Sequence, residues 1–291
     1  AKRKNGVRSM IDVQLLPRIA GMRISEVNRS SIDDQLMWPL QTGLSVSYVH
    51  SCMRVLKMAF TQAVKLDLLE VSPMASMKFT DFVKTKIKPK PASLSMLDLP
   101  DLLEKLTQTF HQNKTINMIA LMMLAHGTRI GETRQAQWRH VCLQQKVWVI
   151  PAANTKTRTE HVLPLTDRMC ELLTIYREAM GSRYSKSGPM FLQGYTDKAI
   201  TEQSAFAGFR SLSGGLWSSH DLRKLARTGW VELGVDYLIG EMLLNHGMSL
   251  MAETYINTSA DELKLDALTR WHERLDSLGL ASLRIDIEAA K

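Results

Sequence analysis

Between Ser45 and Leu66 the apolar residues return at helical spacing. Val49, Cys52, Leu56, Ala59, Phe60 and Ala63 share one face, and His50, Arg54, Lys57 and Lys65 are the polar and basic positions among them. Steps of three and four predict an amphipathic helix with its stripe against a core. The wider stretch 10–78 reads as helical too. From Ser95 the pattern resumes: Leu99–Phe110 predicts one helix, with Pro100 and Asp101 in its first turn. Proline has no N–H to leave unpaired there, and an acid suits the positive end of the helix dipole. Thr115–Ala125 contains the longest apolar run, Met118–Ala125, and predicts a buried helix. The period then changes. Lys146–Ile150 and His161–Leu165 are short apolar runs on either side of Asn154-Thr155-Lys156-Thr157-Arg158-Thr159, which predicts a β-hairpin. Helical spacing returns afterwards, with no internal repeat and no low-complexity tract. The expected fold class is mainly α with a small β-sheet.

Residues 84–92, Lys-Thr-Lys-Ile-Lys-Pro-Lys-Pro-Ala, interrupt this pattern. Pro89 and Pro91 disfavour helix and strand and stiffen the segment. Lys84, Lys86, Lys88 and Lys90 keep it solvated or lay it on phosphates. The expected organisation is a helical domain over 1–83, a linker over 84–92, a mixed α/β domain over 93–257 and a helical extension over 258–291. Residues 1–9 read as a basic, mobile start.

Charge changes this picture. The net charge is +8, and residues 1–90 hold 15 Lys and Arg against 7 Asp and Glu, while the rest of the chain holds 22 of each. A basic domain joined to a neutral one suits a polyanion such as a nucleic acid, although the same excess also serves solubility. The three cysteines, Cys52, Cys142 and Cys170, are scattered, which argues against a disulfide framework or zinc cluster and fits a reducing, cytoplasmic setting. No apolar run reaches the roughly 18 residues of a membrane span. There is no HExxH, CxxC pair, Walker loop or GxGxxG, so neither metal nor cofactor is expected.

The candidate chemistry lies in three stretches: Gly127-Thr128-Arg129-Ile130-Gly131-Glu132, His220-Asp221-Leu222-Arg223, and Leu244-Asn245-His246 followed nine residues later by Tyr255. They supply two guanidiniums, two imidazoles and a phenol. Guanidiniums bind phosphate oxygens in pairs, imidazoles move protons near neutral pH, and a phenol can be a covalent nucleophile. Taken singly, each residue has a plainer reading as a surface arginine, structural histidine or core tyrosine.

The ordered set R…HxLR…H…Y resembles the tyrosine recombinase, or phage integrase, family over roughly residues 10–260, and is closest to integrases of prophages and genomic islands. The resemblance implies a helical core-binding domain, beginning near Leu15–Val27, and a catalytic domain that together clamp double-stranded DNA. It implies a site-specific recombinase that cuts and rejoins DNA through a 3′-phosphotyrosine, integrating or excising a mobile element. Tyr255 would be the nucleophile. Arg129 and Arg223 would hold the nonbridging oxygens of the scissile phosphate, His220 would accept or share the tyrosine proton, and His246 would bond the phosphate. Lys156, on the hairpin turn, would protonate the leaving 5′-hydroxyl, with Arg158 as a rival for the phosphate contact. Glu132 would support the site. Arg54, Lys57 and the four linker lysines would lie on DNA.

The resemblance further implies a homotetramer on an attachment core site, DNA-bending or directionality factors, association with the bacterial nucleoid, and a preceding segment that this chain lacks. Asn245 stands where the family often has Gly, and Ile256-Asn257 where Thr-His is common. Beyond Tyr255, Ser259 and Glu262 fit a capping box, and Leu265, Leu268, His272 and Leu275 form a stripe with Trp271 beside it. That helix would pack on its own domain or dock on a neighbouring protomer. The rival readings are a type IB topoisomerase, a non-catalytic DNA-binding regulator and a metal-dependent nuclease.

Overall fold

The computed structural model describes residues 2–88, 90–246 and 260–283. The chain divides into two compact units, Ala1–Lys90 and Pro91–Lys291.

In the first unit, α1 (Lys2–Ser9) continues through a π-helical turn, Met10–Leu15, into α2 (Leu16–Ile19). Likewise α3 (Arg29–Ile32) continues through Asp33–Met37 into α4 (Trp38–Gln41). Each wide turn precedes a proline, Pro17 or Pro39, at the start of the next segment. Proline cannot donate to the carbonyl four residues back, and its ring collides with that carbonyl, so the backbone opens there. The carbonyl of Val13, freed in this way, is met with that of Gln14 by Arg18 Nη1 at 3.4 and 2.9 Å. The long helix α5 (Val46–Lys65), capped by Ser45, packs Val49, Cys52, Met53 and Leu56 against Ile32, Leu36, Met37, Leu40 and Met74.

Residues 2–9, read as a basic start, form a helix. Two expectations need correction here. Ala59 is exposed, and Val55 takes its place in the buried stripe. Residues 66–78 are not helical. Asp67 turns left-handed (φ 56°), and the N–H groups of Leu68 and Asp67 bond back to Ala63 and Val64, which closes α5 in a Schellman turn.

In the second unit α6 (Leu99–Gln108) has Pro100 in its first turn. Helix α7 (Lys114–His126) follows, and every residue from Ile116 to His126 is buried. The short α8 (Ile130–Arg134) leads to an antiparallel sheet in the order β1 (Val141–Cys142), β2 (Val147–Ile150), β3 (His161–Pro164). The hairpin is present and β1 extends it. Its register pairs Ile150 with His161 and Trp148 with Leu163, so the period of two points these four side chains inward together. Helices α9 (Asp167–Met180), α10 (Glu202–Ser213), α11 (Ser219–Glu232), α12 (Tyr237–Leu243) and α13 (Asp261–Ser277) complete the unit. The fold is thus mainly α with a small sheet, and no described helix is long and apolar enough to cross a membrane.

Helix α13 packs in cis on this unit. Trp271 Nε1 donates to the carbonyl of Leu124 at 2.9 Å, and Arg168 joins Asp276 and the carbonyl of Leu280. The indole fits because Gly229 of α11 has no side chain: a Cβ there would lie 2.2 Å from the ring. The expected stripe is adjusted, because Leu265 is exposed and the buried face runs Lys264, Ala267, Leu268, Trp271, His272, Leu275. Helix α13 starts at Asp261 behind a left-handed Ala260. The expected capping box rests on Ser259, which lies outside the described residues.

Candidate active site

The site is built where α7 ends. Gly127 is left-handed (φ 65°) and a Cβ on it would sit 2.6 Å from Trp230 and 3.0 Å from Leu244, so only glycine reverses the chain here without displacing the core. Arg129 then occupies the N-cap of α8. Glu132, in the first turn, accepts from the Arg129 backbone N–H at 2.8 Å and from its Nη1 at 2.7 Å. The carboxylate is 2% exposed and the guanidinium side chain 24%. Glu132 therefore holds Arg129 at both ends while leaving part of the fork open.

Arg223 comes from α11 and is buried. Its Nη1 donates to the carbonyl of Gly127 at 2.6 Å, and its Nη2 to the carbonyl of Leu244 at 2.7 Å and to His246 Nε2 at 2.9 Å. Burial, with the nearby positive charge of Arg129, lowers its pKa to about 10. It stays charged at neutral pH although, among the described residues, no carboxylate bonds to it.

His246 is presented by a second Schellman turn. Asn245 is left-handed (φ 49°), as expected for a residue standing in for Gly. Its N–H bonds to the carbonyl of Met242 at 3.0 Å, and the His246 N–H to that of Glu241 at 3.0 Å. His246 Nδ1 lies 2.6 Å from Glu241 Oε2. The carboxylate also takes Arg227 Nε at 3.3 Å. Burial alone would raise the Glu241 pKa, but these bonds outweigh it and hold the carboxyl below its ordinary range.

His220 stands exposed on the first turn of α11. Partial desolvation and the charges of Lys224, Arg223 and Arg129 lower its pKa. Its neighbour Asp221 is buried and caps α11, accepting from the N–H and hydroxyl of Ser218 and from the N–H of Ser93. Burial opposes ionisation of Asp221, yet these bonds and Lys224 prevail and bring its pKa to about 2.

Lys156 is exposed on the β2–β3 loop, and among the described residues no hydrogen bond joins it to this cluster. The loop itself is tethered there, because Thr159 Oγ1 donates to Asn245 Oδ1 at 3.4 Å. Arg158, left-handed at φ 62°, is exposed on the same loop. Arg54 and the four lysines of 84–90 are exposed, whereas Lys57 is half-buried and spends its ammonium on the Met77 carbonyl at 2.5 Å. Tyr255 lies outside the described residues.

The structure thus gathers Arg129, Glu132, Arg223 and His246, with His220 beside them. Glu241, Asp221 and His161 were not anticipated. Glu241 had a faint signal, an acid in an apolar helical run five residues before His246. His161 had none beyond its place in a strand. It is buried, and among the described residues neither ring nitrogen has a well-formed hydrogen bond. Burial, then the charges of Lys264, Arg223 and Arg129, lowers its pKa to about 4. Behind it lies a second such histidine, His126, whose ring centroid is 5.5 Å from that of His272. Among the described residues no three His, Cys, Asp or Glu side chains are arranged to hold a metal ion.

Known proteins resemble this chain in sequence and in fold. Residues 95–262 match the phage integrase family. The chain belongs to that family. Among curated phage integrases it is 24% identical over 243 residues to prophage integrase IntA of Escherichia coli K12, covering 81% of this chain and 56% of that protein. It is 26% identical over 171 residues to prophage integrase IntF of the same organism, covering 57% and 35%. The chain therefore spans about half the length, or less, of these relatives. Its fold matches the Tn1549 transposon integrase solved with transposon right end DNA (TM-score 0.68, 15% identity, 94% of each chain). It also matches a lambda integrase dimer bound to a core site (TM-score 0.66, 15% identity, 86% of this chain and 89% of that one).

Proposed function

We propose that this phage integrase is a site-specific DNA recombinase that integrates or excises a mobile element. The observation that carries the reading is the convergence of Arg129, Arg223 and His246 on one face. They come from stretches about 95 and 20 residues apart, and the fold leaves two guanidiniums and an imidazole together, next to partly open space. Such a set suits a phosphodiester, whose transition state gathers charge on its nonbridging oxygens.

In this mechanism the Tyr255 oxygen attacks the scissile phosphorus and the bond to the 5′-oxygen breaks, leaving a 3′-phosphotyrosine. The phenol proton passes toward His220, whose lowered pKa suits it to accept. Lys156 gives a proton to the departing 5′-oxygen. Attack by a 5′-hydroxyl of another strand reverses the step, so rejoining consumes no nucleotide. Arg129 and Arg223 hold the nonbridging oxygens, His246 donates to one of them, and Arg158 contacts a neighbouring phosphate. Residues 93–257 form the catalytic domain and residues 1–83 the core-binding domain, with the exposed Arg54, Lys84, Lys86, Lys88 and Lys90 against the duplex and Lys57, held by the Met77 carbonyl, not among them. Four copies act on two attachment cores in the cytoplasm, at the nucleoid, with bending or directionality factors as partners. Relatives solved on transposon and core-site DNA support double-stranded DNA as the substrate.

The test is incubation of the protein and its Tyr255→Phe variant with a bound candidate core site in EDTA, followed by denaturing electrophoresis. The expected result is a covalent adduct with the wild-type protein alone. Joining to a second duplex would separate a recombinase from a type IB topoisomerase, which reseals the same strand. A bound core site that yields no adduct would overturn the catalytic reading in favour of a DNA-binding regulator.

A further inference from the structure

We infer that Glu241 is a positioning residue: it fixes the tautomer of His246 and supplies the counter-charge that lets this ring donate to a phosphate. The inference rests on the recombinase reading for its consequence, but not for its geometry. Arginine has no acceptor, so the 2.9 Å contact between Arg223 Nη2 and His246 Nε2 requires a lone pair on Nε2. The ring proton then sits on Nδ1 and is donated to Glu241 Oε2 at 2.6 Å. Backbone and side chain enforce the same pairing. Glu241 and His246 are the C3 and C″ residues of the Schellman turn that ends α12, positions that such a turn brings together. Ordinarily an apolar contact joins them; here it is an acid and an imidazole. Arg227 Nε holds the carboxylate from α11 at 3.3 Å.

In the free protein, then, His246 accepts from Arg223 and offers an anion nothing. To donate from Nε2, the ring must take up a second proton while Arg223 turns its N–H toward the same anion. Both ring nitrogens are then donors, and the Glu241 carboxylate lies opposite the new charge. Among the described residues, the charged groups around the ring are Arg223 and Arg227 from α11 and Glu241 from α12. Orientation of a histidine by a carboxylate on its far nitrogen is familiar where the near nitrogen binds a cation; here the near nitrogen would serve an anion.

Two measurements test this. The first needs no activity: the ¹⁵N shifts of His246 in the free protein should show Nδ1 protonated and Nε2 bare, a preference that weakens in Glu241→Ala. A ring protonated on Nε2 alone overturns the inference whatever the protein does. The second is the rate of adduct formation on saturating core-site DNA across pH. Glu241→Gln keeps an acceptor but loses the charge. It should slow the step on the order of tenfold, most at alkaline pH and least in acid, with DNA affinity unchanged. In a His246→Ala background the same substitution should have no further effect, since Glu241 acts through the ring. A uniform loss at every pH, an additive double variant, or no loss at all would leave Glu241 a structural residue only. A wild-type protein that forms no adduct would instead refute the recombinase reading, and the spectrum would still judge the geometry.

Discussion

Arg129 and Arg223 carry the same charge toward the same small region, but the protein holds them in opposite ways. Arg129 is partly exposed and bound to a buried carboxylate, Glu132. Arg223 is buried and, among the described residues, meets only neutral acceptors, the carbonyls of Gly127 and Leu244 and one imidazole nitrogen. A carboxylate cancels most of a guanidinium's field, whereas carbonyl dipoles satisfy its N–H groups and leave its unit charge intact. On this view Arg223 is the stronger source of positive potential and Arg129 the better-anchored fork. Burial makes that charge expensive, as its depressed pKa reflects. Its retention in a core position argues for an anionic visitor, because a structural role alone would be served by a neutral donor.

The sharpest way to break the comparison is to remove Arg223. Arg223→Ala should leave two buried carbonyls unpaired, at about 1–3 kcal/mol each, and slow adduct formation on the order of 10²–10³-fold. Thermal unfolding and the adduct assay read the two effects separately. A variant with unchanged stability would mean that water replaces the guanidinium and that the carbonyls never held it.

Arg129→Ala should resemble it in rate but differ in rescue. It strands a carboxylate that is 2% exposed, and breaking one side of a buried pair costs about 3–5 kcal/mol. Adding Glu132→Gln to Arg129→Ala should recover part of that stability and none of the rate. If the double variant is no more stable than the single one, Glu132 was never an isolated charge.

Acid should sharpen the comparison in a third way, by placing new charge beside both arginines. Burial holds the pKa values of His161 and His272 at about 4 and that of His126 at about 3, against 6.5 when unfolded. Between about pH 4 and 6.5 the unfolded chain therefore binds more protons than the folded one. Stability is complete above that window and is lost as pH falls through it. Each tenfold difference in proton affinity between the folded and unfolded chain is worth roughly 1.4 kcal/mol. Unfolding free energies from denaturant titration at pH 5 and 7.5 should therefore differ by at least about 2 kcal/mol. His126→Leu, which removes two buried ring nitrogens, should flatten the slope. A profile level from pH 7.5 to about 4.5 would show these rings to be solvated.

The smallest effect belongs to the turn that joins Leu244 to His246, two partners of Arg223. Asn245→Gly relieves a left-handed backbone but removes the acceptor of Thr159. Stability should shift by less than about 1 kcal/mol, with adduct formation within a few-fold of wild type. A large loss would mean that the Thr159 tether aligns the Lys156 loop with His246.

Periodic signals were legible in the chain and contact signals were not. The α5 stripe, the buried run of α7 and the β2–β3 hairpin follow from spacing, because burial of one face leaves a repeat in the residues themselves. Where a boundary depended on a turn, the reading erred: Asp67 stops α5 well before the end of the stretch read as helical. Ala59 and Leu265 face solvent because their neighbours fill the space they were expected to fill.

By itself, then, the sequence determined the fold class, the family motif and the order of its candidate residues, since motif spacing and hydrophobic period are local properties of a chain. Only the tertiary structure decided how the site is held. That Arg223 rests on carbonyls from two other segments and that Glu241 turns back on His246 depend on where α7, α11 and α12 meet, and the burial of His126, His161 and His272 depends on how β3 and α13 pack against α7. Side-chain hydrogen bonds act over about 3 Å, and Arg223 and Gly127, which come within that distance here, are 96 positions apart.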